Sequence, residues 1–237
     1  TAHPSKGAVF RIRHYMILSD AIAKTYLLAE GKGTAPAAGT NKYTKIVGLL
    51  NTCQEMWQDE PDTEWDSLYD LFSVTGTITA TDTFALPATL REISHRQGDD
   101  IQIVKTDGNT IYVPVIKADQ LTEYNRNGIQ AAAKVGSNLQ FSIPFSATSP
   151  EFGGTIKVPG YAYVTTLSNS SDVIQVDKPL WLCYMTAAEY CRTSTSLSYR
   201  AEDLVARANQ LMVDMKQAQD GSLGMPVMAH FPLGRTW

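Results

Sequence analysis

Residues 44–60 read TKIVGLLNTCQEMWQDE, residues 61–72 read PDTEWDSLYDLF, and residues 73–87 read SVTGTITATDTFALP. In the first segment apolar side chains recur at helical spacing, which predicts a helix over 44–59 with Thr44 as its N-cap. Pro61 cannot continue that helix. The third segment alternates threonine with smaller or apolar residues, a pattern typical of a half-buried strand. The change of period indicates that a helical part of the chain ends here and a sheet begins.

Helical patterns also occur near both ends of the chain. One helix is predicted over 15–29, another over 179–193, and a third over 199–219 with Ser198 as its cap. The helix at 179–193 is apolar on all its sides, so we expect it to be buried centrally. Because these helices need apolar partners, packing against one another is the simplest arrangement.

Strand patterns fill the region between the helices. The run DDIQIVKTDGNTIYVPVIK (99–117) predicts a hairpin with Asp107, Gly108 and Asn109 at its turn. The runs NLQFSIPF (138–145) and GGTIKVPGYAYVTTL (153–167) predict further strands. The expected fold class is therefore α+β, with a helical bundle built from the N- and C-terminal helices and an inserted, mainly antiparallel β domain.

This interpretation divides the chain into consecutive segments. The last of them contains glycines and prolines among apolar residues and shows no periodicity, so we expect it either to fold back on its own core or to bind a partner. The segments are an extended N-terminal arm over 1–14, a helical bundle formed by 15–68 and 177–219, an inserted β domain over 69–176, and an extended C-terminal tail over 220–237.

Patterns that carry chemistry are scarce. The four histidines form no H-x-x-x-H pair, and together with the cysteines they lack the spacing of a zinc site. The chain contains no nucleophile elbow, phosphate loop or dinucleotide-binding motif. Cys53, Cys183 and Cys191 lie in apolar helical patterns and are expected to be buried free thiols. We therefore predict that the protein is not an enzyme and uses no metal or cofactor.

Charge is distributed unevenly along the chain. Residues 1–45 hold seven Lys and Arg against two acidic residues, whereas residues 46–90 hold eight acidic residues and no Lys or Arg. A basic arm beside an acidic belt could attract neighbouring subunits to one another, or both could simply face solvent. The candidate subunit-interface residues are Arg11, Arg13, Asp59, Glu60, Asp62 and Glu64.

The order of these motifs resembles that of the head-to-tail adaptor (connector) proteins of tailed bacteriophages. The resemblance covers residues 15–219, although the segment over 131–161 is longer than a minimal adaptor needs. It is carried by Asn51 and Trp57 on the second helix, by Trp65, Asp66 and Leu68 after the acidic break, by Phe84-Ala85-Leu86-Pro87 at the end of the threonine-rich strand, and by Trp181, Leu182 and Ala187-Ala188-Glu189-Tyr190 on the later helix.

The resemblance implies a structural virion protein. Such proteins form a dodecameric ring that joins the portal to the tail and extends the channel, through which double-stranded DNA passes without specific binding. The implied partners are the portal protein and a tail nozzle or other tail protein, with no membrane involved. The implied location is the head-to-tail interface of the virion, after assembly in the host cytoplasm. Phe231, Arg235 and Trp237 are the implied portal anchors.

Two other functions stay open at this point. A tail-tube or tail-completion protein would also form a ring, but such proteins are dominated by β structure, and the helices near both ends argue against that assignment. The other alternative is an enzyme of unknown type with its site in the β domain. It would lack a recognisable nucleophile, metal or cofactor signature.

Overall fold

The computed structural model describes residues 15–61, 63–96 and 98–222, with side chains up to Gln219. The α+β class is confirmed, because helices accompany two sheets in which every strand pairing is antiparallel. The helices are α1 Leu18–Glu30, α2 Asn41–Gln58, α3 Leu121–Arg126, α4 Pro179–Arg192 and α5 Ala201–Ser222, and the strands are β1 Tyr69–Ser73, β2 Thr83–Ala85, β3 Leu90–Ile93, β4 Ile101–Val104, β5 Thr110–Val113, β6 Ala132–Val135, β7 Asn138–Phe141 and β8 Thr155–Ala162.

The chain divides into two compact units. The helical unit ends at Ser67 and resumes at Val164, and the β unit comprises Leu68–Tyr163. Residues 164–176 form no strand and belong to the helical unit, although their sequence pattern is that of a strand. Val173 makes only an isolated bridge with Ile17, just before α1.

The helical unit is centred on α4. Pro179 occupies the first turn, where its missing N–H costs nothing. Helix α4 contacts α1, α2 and α5 and is buried on most of its surface, as its apolar pattern predicts. Ala187 and Ala188 are fully buried, and their small side chains allow neighbouring helices to approach closely.

Two predicted helix caps are wrong. Helix α2 begins at Asn41, before the expected start at Thr44. The hydroxyl of Thr40, not that of Thr44, caps the helix by accepting the main-chain N–H of Tyr43 at 3.3 Å. Ser198 lies in a 3₁₀ turn ahead of α5, and its hydroxyl donates to a carbonyl instead of capping the helix. At its other end α5 continues to Ser222, so 220–222 are helical and not part of an extended tail.

The β unit contains a five-stranded and a three-stranded sheet. In the larger sheet the order is β1-β8-β4-β5, with β3 also paired to β8, and in the smaller one it is β2-β7-β6. The predicted hairpin is present as β4 and β5, with Gly108 at a φ of 85° in the turn. Gly160 on β8 admits no side chain, because a Cβ there would collide with the Glu92 carbonyl and the Leu90 side chain of β3.

The threonine-rich run does not form the predicted strand. Between Val74 and Asp82 the chain is irregular, and only Val74 and Ile78 are buried. Their N–H groups donate to main-chain carbonyls at Ile156 and Gly154, while Gly76 turns the chain between them with a φ of 90°. The alternation of threonine therefore belongs to a loop anchored at two points. The regular strand, β2, begins only at Thr83.

A short helix inside the β unit has no counterpart in the sequence prediction. Helix α3 contains six residues, and only its first residue, Leu121, is buried. Among the helices described, none offers the length and apolar character that crossing a lipid bilayer requires.

Candidate functional site

One face of α2 carries three amide side chains, Asn51, Gln54 and Gln58, at helical spacing. All three bind the main chain of residues 164–167, which runs beside the helix. The Asn51 carbonyl oxygen accepts the N–H of Leu167 at 2.7 Å, and its amide nitrogen donates to the Leu167 carbonyl at 3.0 Å. Asn51 therefore binds this segment as a neighbouring strand would. We call the three side chains the amide ladder.

The other two members of the ladder each make one contact with this segment. The amide nitrogen of Gln54 donates to the Thr165 carbonyl at 2.9 Å, and the carbonyl oxygen of Gln58 accepts the N–H of Val164 at 2.7 Å. Gln54 and Gln58 are both buried, whereas Asn51 is half-buried. The sequence interpretation missed the ladder, although amides three and four residues apart on one helix were the available signal.

Two tryptophans form the interior of the acidic corner that follows α2. Trp57 and Trp65 are fully buried and stack with ring centroids 4.7 Å apart and an interplanar angle of 23°. The indole N–H of Trp65 donates to the Trp57 carbonyl at 2.7 Å, near the end of α2. This contact fixes the direction in which the chain leaves the helix, so these two motif residues have a defined structural role.

The acidic side chains of the corner lie around that aromatic pair. Asp59 follows the last residue of α2 and accepts a hydrogen bond from the Gln58 amide at 2.9 Å. Glu60 forms an ion pair with Lys216 of α5 in the same chain. Glu64 is exposed. Because Glu60 already has a cationic partner, it adds less to a contact with another subunit than the sequence pattern implies.

A polar cluster joins three helices at Glu30, the last residue of α1. Its carboxylate accepts hydrogen bonds from Lys42 at 2.8 Å, Tyr190 at 2.7 Å and Lys32 at 3.0 Å. Burial alone would raise the pKa of Glu30, but the bonds from Lys42, Tyr190 and Lys32 together lower it to about 2. The hydrogen bond to Glu30 also raises the pKa of Lys42. Burial, together with the bond to Glu30, raises the pKa of Tyr190 to about 12.

A third lysine completes this cluster. The Lys45 ammonium donates to the Thr193 hydroxyl at 2.5 Å and lies 5.1 Å from the centroid of the Tyr190 ring. All three lysines beside Glu30 thus have partners within the chain. We interpret the cluster as a connection between α1, α2 and α4 that stabilises the helical unit.

The cysteines are buried and free, as predicted. Burial raises the pKa of the Cys53 thiol to about 11 and that of Cys183 to about 12, and it also raises the pKa of Cys191. Thiols with raised pKa values are poor nucleophiles at neutral pH. Within 15–61, 63–96 and 98–222, no group of three or more His, Cys, Asp or Glu side chains could hold a metal ion.

A groove of about 290 Å³ runs along β5 in the β unit and is lined by both apolar and polar side chains. Ile111 of β5 is only partly buried, and Tyr112 beside it is 63% exposed. We call this feature the β5 groove. Its apolar lining consists of Ile103, Ile111 and Val113 from β4 and β5 and of Ile143, Pro144 and Phe145, and its polar lining consists of Gln130, Ser149 and Glu151.

Several candidate residues lie outside the described part of the chain. They are the proposed portal anchors Phe231, Arg235 and Trp237 and the proposed interface residues Arg11, Arg13 and Asp62. Compared with known protein families and with curated proteins, the chain finds no match.

Proposed function

We propose that this chain is a subunit of the head-to-tail adaptor ring of a tailed bacteriophage, a structural component of the virion. The observation that carries the proposal is the organisation of the chain. Helical segments from before and after the β unit share one compact unit, and the β unit is inserted between them. This organisation agrees with the order of adaptor-like motifs in the sequence.

The motif residues themselves support the proposal. Asn51 binds the main chain at Leu167, and Trp57 and Trp65 form the buried stack at the end of α2. Residues that hold a corner together are those that a shared architecture would require. The resemblance therefore rests on side chains with structural roles in this protein, and not only on their order.

In this proposal the four long helices form one bundle. Its support is α4, which contacts α1, α2 and α5 and is buried on most of its surface. A rigid bundle offers different faces to two neighbours, and identical subunits that pack head-to-tail close into a ring when the rotation fits. We expect twelve copies, with double-stranded DNA passing through the lumen without specific binding.

The ring would bind the portal on one side and a tail nozzle or another tail protein on the other. Residues 220–237 of each copy would bind the portal, with Phe231, Arg235 and Trp237 as anchors. Aromatic and arginine side chains are the residue types that most often dominate binding energy at an interface. Equivalent tails around a ring would add their affinities through multivalency.

Native mass spectrometry of the purified protein, alone and mixed with the portal ring of the same virus, tests the proposal. For a subunit of 26.0 kDa we expect a closed species of roughly 310 kDa, alone or on the portal. A hexamer would favour the tail-tube alternative. A protein that stays monomeric under both conditions would refute the adaptor assignment.

A further inference from the structure

A surface pocket of about 520 Å³ lies at the start of α2, beside the end of α4. Three ammonium groups line it, those of Lys32, Lys42 and Lys45, together with one carboxylate, that of Glu30. Hydroxyl groups at the end of α4 and just after it supply most of the remaining lining. We call this feature the lysine pocket. Its lining carries more positive than negative charge.

The contacts within the chain leave donors on these lysines. An ammonium group has three N–H bonds. Lys32 and Lys45 each make one hydrogen bond to another described side chain, and Lys42 makes two. The side chains of Lys32 and Lys42 are 64% and 51% exposed, so their remaining N–H groups are accessible to an anionic partner. The role of the lysines in joining the helices is therefore compatible with a second contact from outside.

Neighbouring charges do not cancel the positive excess of the pocket. Arg192 pairs with Glu189 at 2.5 Å and lies 3.9 Å from Glu202. Arg200 donates to the Ala29 carbonyl at 2.7 Å. Two guanidinium groups and two carboxylates thus lie beside the pocket, and the excess charge belongs to the lysines that line it.

The charges of α2 are placed against its helix dipole. Lys42 lies in the first turn and Lys45 just after it, whereas Glu55 lies in the last turn and Asp59 at the C-cap. A helix is stabilised by acidic residues at its start and by basic residues at its end, and α2 has neither. Charges that oppose the local preference are expected where they serve another interaction.

The two ends of α2 cannot satisfy each other within one chain. The helix has 18 residues, and at ~1.5 Å per residue its ends are about 27 Å apart. Glu55 and Asp59 are exposed, and no Lys or Arg occurs between residues 46 and 90. Lys216 reaches this end of the helix, where it pairs with Glu60. A second copy of the chain, in contrast, can bring its own acidic end to the pocket.

We infer that the lysine pocket binds Glu55 and Asp59 of a neighbouring copy of this chain. Each copy then offers a basic face at one end of α2 and an acidic face at the other. Two different faces that complement each other make a head-to-tail contact, which is the kind that a ring requires. The neighbouring copy is supplied by the proposed ring, so the inference rests on the proposed function.

Zero-length cross-linking of the unaltered full-length protein tests the inference. A carbodiimide reagent joins an ammonium group to a carboxylate that touches it. Protein labelled with heavy nitrogen and unlabelled protein are mixed at high salt, returned to low salt, where ion pairs are least screened, and then cross-linked. Mass spectrometry should detect peptides that join Lys32 or Lys42 to Glu55 or Asp59, including pairs with only one labelled member. Lys42 and Glu30, 2.8 Å apart within one chain, provide the positive control.

Two outcomes of this experiment would overturn the inference. One is the absence of intermolecular links from the pocket while the Lys42–Glu30 link forms, since the lysines would then serve only the fold of their own chain. The other is a set of intermolecular links from the pocket to different carboxylates, since another surface would then occupy it.

Charge reversal provides an independent test by sedimentation velocity. Glu55→Lys with Asp59→Lys reverses the acidic end, and Lys32→Glu with Lys45→Glu reverses most of the pocket. Each variant alone should assemble at least about tenfold more weakly at low salt, because like charges would meet. An equal mixture of the two should assemble again, because each variant supplies the face that the other lacks.

The matched control for the acidic end is Asp119→Lys with Glu123→Lys. It changes the same two residue types at the same spacing, at exposed positions in the β unit, and should assemble like the wild type. An equal loss in this control, or no recovery in a mixture of folded variants, would contradict the inference. If circular dichroism shows that the pocket variant does not fold, the acidic-end variant and its control decide alone.

Native mass spectrometry, alone and with the portal ring, separates this inference from the proposed function. A twelve-subunit ring without the expected cross-links would leave the adaptor proposal standing and remove the inference. The expected cross-links in an assembly that does not close as a ring would support the contact and contradict the adaptor assignment. A protein that stays monomeric and forms no intermolecular link would refute both.

Discussion

Replacing Asn51 by leucine should destabilise the protein strongly, because one side chain makes two main-chain hydrogen bonds. The substitution leaves both the N–H and the C=O of Leu167 without their partner, and Leu167 is 2% exposed. A buried main-chain group left unsatisfied costs about 1–3 kcal/mol. Because Asn51 itself is half-buried, water can compensate in part, and we expect a loss of about 2–4 kcal/mol in the free energy of unfolding. Equilibrium urea denaturation measures it.

Gln54→Leu is the matched control on the same helix face. Gln54 makes a single bond to the main chain at Thr165, and its own buried carbonyl oxygen has no hydrogen-bond partner. Replacing it removes one bond but also removes an unsatisfied polar atom, so the expected loss is about 1 kcal/mol or less. Equal losses for Asn51→Leu and Gln54→Leu would refute the argument that the two-bond contact makes Asn51 special.

The substitution Asn51→Asp keeps one of the two hydrogen bonds and makes the cost of losing the other depend on pH. The carboxylate still accepts the Leu167 N–H, but it faces the Leu167 carbonyl where the amide donated. That carbonyl favours the protonated acid, so the folded-state pKa of the new carboxyl should lie above its unfolded value of about 4. The penalty relative to wild type should be complete above the folded pKa and should diminish as the pH falls below it. The penalty of Asn51→Leu should not vary with pH in this way.

Four further predictions concern other parts of the chain. The Glu30 carboxylate, with a pKa of about 2 against a usual 4.5, should stabilise the fold fully above pH 4.5 and lose that contribution between pH 4.5 and 2, and urea denaturation of Glu30→Gln should lack this component of the acid dependence. Trp65→Phe removes the buried indole N–H that donates to the Trp57 carbonyl, and thermal denaturation should show a free energy of unfolding lower by about 1–3 kcal/mol. Arg11→Glu with Arg13→Glu should weaken the ring most at low salt, where charges are least screened, and an unchanged mass at low ionic strength would contradict this. Deleting 221–237 should leave a folded protein that no longer co-sediments with the portal, and either retained binding or unfolding would disprove the tail as anchor.

The four long helices and the β4–β5 hairpin could be predicted because their signals are local. In α2 one face repeats apolar residues from Ile46 to Trp57, over about three turns, and in the β4–β5 hairpin alternation flanks an Asp-Gly turn. The pattern does not place the first residue of α2, since Thr40 and Thr44 are both residues that cap helices well. The choice between them depends on where the preceding linker brings the chain, which no local pattern records.

The threonine-rich run shows the limit of periodicity. Its alternation is real, yet burial follows a spacing of four residues, at Val74 and Ile78. Their main-chain partners are Ile156 in β8 and Gly154 just before it, which are far away in sequence. A strand pattern states that a segment can be extended, but a ladder also requires a partner in continuous register. Here the register of β1 with β8 ends at Ser73 and Lys157, and the chain beyond it is held to residues 153–156 through Val74 and Ile78.

The same argument explains both the missing strand at 164–167 and the presence of Asn51 in the motif. The run VTTL has the composition of a strand, and an extended chain needs partners for its N–H and C=O groups. In this protein most of the partners are side chains of α2, and Gln175 accepts the N–H of Thr165, so the segment is extended without joining a sheet. A single asparagine side chain on one face of a helix presents both a donor and an acceptor, as the edge of a strand does. Asn51 can therefore use both groups only with an extended segment beside it, and the amide ladder supplies that segment with hydrogen-bond partners.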